Sequence, residues 1–146
     1  MYRPFGVLAG IVLVVLAGGA QAEDVVSPAA PGGTSTASAG DAAAGEKVFV
    51  KCRACHQIGE NAHNAVGPEL NGVIGRHSGS LKDYSYSDAN RTSGLTWDPA
   101  TFRRYIANPR AVVPGTKMTF AGLTREKDID NVLAYLEQFN ADGSRK

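Results

Sequence analysis

Two cysteines and a histidine stand almost side by side in the stretch FVKCRACHQIG, residues 49–59, and they constrain this chain more than any other feature. Cys52 and Cys55 are its only cysteines. A disulfide between them would close a loop too small to restrain much of the unfolded chain. A thiol-disulfide exchange pair shares the C-x-x-C spacing but belongs where a strand feeds a helix, and no strand pattern precedes Cys52. Zinc asks for four ligands, ordinarily from two separated pairs, and the chain has one pair. What remains is the C-x-x-C-H signature of a covalently attached haem c. Residues three apart on a helical turn project from one side, so both sulfurs can form thioethers along one porphyrin edge. His56, next in line, can then turn its imidazole toward the iron.

A haem also answers a difficulty raised by the middle of the chain. From Gln57 to Leu95 there are six glycines, Pro68 and no sustained period of helix or strand. A stretch that long in a compact domain needs something large to wrap around, and a macrocycle supplies an apolar wall. Helical patterns flank it. Asp41 suits an N-cap, and Val48, Phe49 and Cys52 share one stripe of the helix that follows, which contains Gly45. Asp98-Pro99 predicts a second helix with Phe102, Tyr105 and Ile106 on its buried side, ending at Asn108-Pro109. A third is expected from about Thr124 to Phe139, where Ile129, Val132, Leu133, Leu136 and Phe139 recur at steps of three and four. The expected class is all-α, a single domain with three main helices and long loops around a covalent haem.

Ahead of this unit, Phe5–Ala20 is an unbroken run of apolar or small residues after Arg3, and Ala20-Gln21-Ala22 offers a small-residue cleavage site. Residues 1–22 read as an export signal cut after Ala22, with a retained membrane anchor as the alternative. Residues 23–40, rich in Ala, Pro, Ser and Gly, read as a flexible tail, and 41–146 as the folded domain. Without Arg3, the fifteen Lys and Arg fall level with the fourteen Asp and Glu, which argues against nucleic acid as a partner.

Haem iron has a second axial position. Met118, the chain's only methionine besides Met1, follows the turn residues Pro114-Gly115 and would arrive from the side opposite His56. A lone methionine is ordinarily a core filler, and His63 and His77 are rival ligands that read better as surface residues.

The segments GEKVFVKCRACH, VGPELNGVIGR, YSYSDAN, YIANPRAVVPGTKMTFAG and LAYL together resemble the class I c-type cytochromes, in the mitochondrial-like branch that includes bacterial periplasmic proteins. The resemblance runs from Gly45 to about Leu136. It implies one haem c bound through Cys52 and Cys55, with His56 and Met118 as axial ligands and the Pro68 carbonyl accepting the other imidazole proton. By the same resemblance Arg76, Tyr86 and Trp97 bind the haem propionates, and Asn90, Tyr105 and Thr116 form a polar network behind the methionine. Gly45 and Phe49 resemble the contact of the first helix with the last, near Tyr135 and Leu136. The tail over 23–40 departs from the family pattern.

The function so implied is that of a monomeric, non-enzymatic, periplasmic one-electron carrier. Its partners by analogy are a cytochrome bc complex as donor and a terminal oxidase, peroxidase or photosynthetic reaction centre as acceptor. Lys51, Arg53, Arg110 and Lys117 flank the haem-binding segments and read as a basic docking rim, while Asp128, Asp130, Glu137 and Asp142 mark the last helix. The alternatives are a haem protein with an open iron site, in which Met118 is only core, and a haem-free thiol or zinc protein.

Overall fold

The computed structural model of the chain describes residues 40–146; the expected signal, and the expected tail apart from Gly40, lie outside the described residues. Among the described residues five helices follow in order: α1 (Ala42–Phe49), α2 (Asp88–Arg91), α3 (Pro99–Ala107), α4 (Pro109–Val112) and α5 (Glu126–Leu136). Each start but the last has a side chain that satisfies free amides of the first turn. Asp41 accepts from Ala43 and Ala44, Ser87 from Asn90, Asp98 from Thr101, and Asn108 from Ala111. Proline occupies the first turn of both α3 and α4, where its missing N–H costs nothing.

The first and last helices cross at Gly45. A Cβ there would stand 1.9 Å from the carbonyl oxygen of Asn131 and 2.8 Å from the Tyr135 Cβ, so only glycine lets the two backbones meet. Asn131 also accepts the Asp41 N–H at 2.8 Å, and the Phe49 and Tyr135 rings lie 5.3 Å apart. Helix α5 packs on α3 as well. Phe49, Val132 and Leu133 are fully enclosed at this junction, each worth about 1.5–3 kcal/mol in removed apolar surface.

The three main helices lie where the sequence puts them, with differences at the edges. Helices α2 and α4 are additional single turns. Helix α5 begins at Glu126, without a side-chain cap, and ends at Leu136. Phe139 stays buried although it lies past the helix, because the chain doubles back through Gly143 at φ 85° and pairs Phe139 with Arg145. The Arg145 guanidinium then sits 5.0 Å from the Phe139 ring centre. Between Gln57 and Leu95 the described chain is mostly turns, with one isolated bridge from His77 to Thr96. Among the described residues no helix is long and apolar enough to cross a membrane.

Candidate functional site

The loops and helices enclose a cavity of about 630 Å³. Every residue assigned to cofactor binding from the sequence lines it: Cys52, Cys55, His56, Pro68, Arg76, Tyr86, Asn90, Trp97, Tyr105, Thr116 and Met118. Leu70, Val73, Phe102, Ile106, Phe120, Val132 and Leu136 supply apolar wall. A shallower groove of about 840 Å³ runs past Gln57–Ala62 and Arg145, and neither cysteine nor Met118 lines it.

The two cysteines follow α1 on a continuing turn, in which the Cys55 and His56 amides both donate to the Cys52 carbonyl. They are not joined to each other. Burial pushes the Cys52 thiol up to about 11, with nearby Lys51 opposing and Cys55 adding to the shift. A thiol held that high carries little thiolate at neutral pH, which disfavours exchange chemistry there.

His56 is fixed by main chain. Its Nδ1–H donates to the Pro68 carbonyl at 2.7 Å; a carbonyl only accepts, so the proton sits on Nδ1 and the lone pair on Nε2. Burial holds its pKa below the ordinary value against the pull of the Pro68 bond, and the Arg76 charge lowers it further. The ring is therefore neutral and able to ligate. Gly67 backs it: a Cβ at Gly67 would lie 2.3 Å from the ring Cε1.

Met118 is held by side chains. The Tyr105 hydroxyl lies 3.3 Å from the Met118 sulfur, to which it donates, and 3.4 Å from the Thr116 hydroxyl. Thr116 Oγ1 accepts the Met118 amide at 3.2 Å and donates to Asn90 Oδ1 at 3.0 Å, and Ser87 Oγ donates to the same Asn90 oxygen at 2.8 Å. Burial, against hydrogen bonds from Thr116 and Asn90, raises the Tyr105 pKa, so this donor keeps its proton at neutral pH. The rival histidines lie elsewhere. His63 is exposed and pairs with Gln57, and His77 is exposed and meets Thr96.

At the third wall Trp97 is buried 4.6 Å from the Tyr105 ring, and its amide donates to the Arg76 carbonyl. The Arg76 side chain, expected to face the cofactor's carboxylates, is already paired with Glu69 at 2.7 Å. Glu69 and Gly67 are the residues that sequence reading missed. Their proximity to Pro68 was the available signal. Tyr84 was missed too: it lines the cavity, packs edge-on to Tyr86 and donates to the Val66 carbonyl.

The donor set fits a haem: two thiols, one neutral imidazole with a free Nε2 and one thioether converge on a largely apolar cavity. The cytochrome c sequence profile matches residues 42–140. The chain belongs to the cytochrome c family. It is 62% identical over 107 residues to cytochrome c2 of Rhodoblastus acidophilus, covering 73% of this chain and all of that one. It is 61% identical over 109 residues to cytochrome c-554 of Methylosinus trichosporium, 75% of this chain and 83% of the other. Among solved structures, cytochrome cH from Methylobacterium extorquens superposes with a TM-score of 0.63 at 48% identity, covering 67% of this chain and 98% of that one. This cytochrome therefore has the all-α cytochrome c fold, haem c as its covalent cofactor, and electron carriage between redox proteins as its work.

The surface charges of this cytochrome do not separate as the sequence suggests. Lys51 reaches across to Asp128 on α5, a buried carboxylate that Arg125 also grips at 2.8 Å. Arg53 pairs with Glu46, Asp130 with Arg103, and Lys117 donates to the Ser85 carbonyl. Arg110 stays exposed on α4.

Proposed function

We propose that this cytochrome is an exported carrier, cut after Ala22 to leave the tail and domain, in which His56 and Met118 are the axial ligands of a haem bound through Cys52 and Cys55. It would take electrons from a membrane cytochrome bc complex and pass them to a terminal oxidase, peroxidase or photosynthetic reaction centre in the periplasm. The observation that carries this reading is that a neutral imidazole with its Nδ1 proton committed to Pro68 and a sulfur held by Tyr105 line the same cavity as both cysteines. Haem c, when bound, supplies an iron that gains or loses one electron.

The chain's own residues do the rest. His56 and Met118 would hold the iron of the bound haem, which would leave no position for a substrate. The Pro68 carbonyl fixes the imidazole tautomer. Asn90, Thr116 and Tyr105 hold the Met118 side chain in one arrangement, and the apolar walls exclude water, so little need reorganise when the charge at the centre changes. Arg76, Tyr86 and Trp97 offer donors to the propionates. Lys51, Arg53, Arg110 and Lys117 give the surface near the haem-binding segments a positive component for docking on acidic partners, of which Lys51 and Arg53 are partly offset by their own acids.

The exported holoprotein tests this directly. Its intact mass is expected to match residues 23–146 plus one haem, and carbon monoxide added to the reduced protein is expected to leave the spectrum unchanged. A mass without haem would return the thiol or zinc reading, and a spectrum altered by carbon monoxide would mean an open iron.

A further inference from the structure

Two successive residues grip two different parts of the site. The Pro68 carbonyl accepts from His56 Nδ1, and the Glu69 carbonyl accepts from Arg76 Nη2 at 2.7 Å. The Glu69 carboxylate closes on the same guanidinium, with Oε1 accepting from Nη1 at 2.7 Å, while the Asn71 carbonyl takes a further Nη1 bond at 3.1 Å. Glu69 is itself held: its Oε2 accepts the Asn71 amide at 2.6 Å and its own amide donates to Asn64 Oδ1 at 3.0 Å. Three of the five guanidinium donors are thus committed away from the cavity that Arg76 lines, and two are left for it.

We propose that Glu69 is a positioning residue for Arg76 and the fixed counter-charge that sets the potential of this carrier. The inference rests on the reading that the cavity holds haem c between His56 and Met118. Arg76 lines the cavity and Glu69 lies behind it, so the centre faces a cation whose charge is offset at one remove. The Arg76 and Glu69 side chains are only 15% and 16% exposed, which keeps solvent and salt from screening either one as they screen surface pairs. Both charges reach the cavity wall: at Tyr86, where burial is the main influence and raises the phenol's pKa, Arg76 lowers it and Glu69 adds to the rise. A negative charge so placed opposes the arrival of an electron, and the carboxylate aims the guanidinium that its removal would free.

The test is the midpoint potential of the holoprotein for wild type, Glu69→Gln and Glu69→Asp, at low salt and at about 1 M salt, where the screening length is about 3 Å. Gln keeps one acceptor oxygen for Nη1 and the backbone bond, and removes the charge together with the oxygen that accepts the Asn71 amide. Glu69→Gln is expected to shift the reduced-to-oxidised ratio at fixed potential about tenfold toward reduced, about 59 mV for one electron, and to keep that shift in high salt. Glu69→Asp should stay within about threefold of wild type. A Gln variant that matches wild type, a shift abolished by salt, or an Asp variant that moves as far as Gln would each overturn the proposal. The thioether-to-iron absorption band is recorded on the same samples. Its absence from wild type would count against the His56 and Met118 reading, whereas a Gln variant with the band intact and the potential unmoved would sink the role of Glu69 alone.

Discussion

On one side of the cavity His56 is clamped by main chain, with the Pro68 carbonyl on its Nδ1 and the Gly67 backbone against its ring; on the other, Met118 is steadied by the hydroxyls of Tyr105 and Thr116. The difference decides how each side can vary. A main-chain clamp tolerates no added atom, because the loop and the ring share one space. A hydroxyl network can lose one member and keep the rest, so the methionine side is where stability can be adjusted in small steps.

The sharpest way to break this contrast is Gly67→Ala. Gly67 does not use the left-handed conformation, so the effect is steric: the new Cβ would overlap an imidazole that its bond to Pro68 keeps from moving aside. Overpacking of this kind costs about 1–3 kcal/mol, and here the upper end or beyond is expected. Denaturant unfolding of the holoprotein should read that loss, together with poor haem incorporation. A Gly67→Ala protein as stable and as fully loaded as wild type would show the clamp to be loose.

Tyr105→Phe is the gentler counterpart. It removes the donor to the Met118 sulfur and the contact with Thr116 without changing the packing of the ring, a loss of about 1 kcal/mol. The loss should depend on pH in a known direction. The folded-state pKa of Tyr105 is raised, so its contribution is fully present below about 10, the unfolded value, and declines as pH rises through the higher folded value. Unfolding midpoints of wild type and Tyr105→Phe should therefore differ at pH 8 and converge above about pH 10. Equal midpoints at pH 8 would mean that the hydroxyl does nothing for Met118.

The same contrast explains what was legible in the sequence. Helices α1 and α3 announced themselves through caps and an apolar stripe, and α5 through apolar steps of three and four alone, whereas α2 and α4 are single turns of four residues, too short to show a period. Cys52, Cys55 and His56 carry a spacing with a chemical meaning, and Met118 follows a turn in a chain with no other internal methionine. Gly67 and Glu69 carry no such pattern. One acts by lacking a side chain beside a ring eleven residues away, the other through an ion pair across seven residues of irregular loop. The turn that returns Arg145 to Phe139 was equally silent, since helical periodicity says nothing about a chain that leaves the helix and folds back.

The central claim is that protein side chains close both faces of the haem iron, and Met118→Ala tests it most directly. Wild-type holoprotein is expected to show the thioether-to-iron absorption band in its oxidised form; the variant should lose that band, fall markedly in midpoint potential and bind carbon monoxide when reduced. A Met118→Ala protein whose spectrum and potential match wild type would contradict the account, because Met118 would then be core packing and some other group, or none, would face the iron.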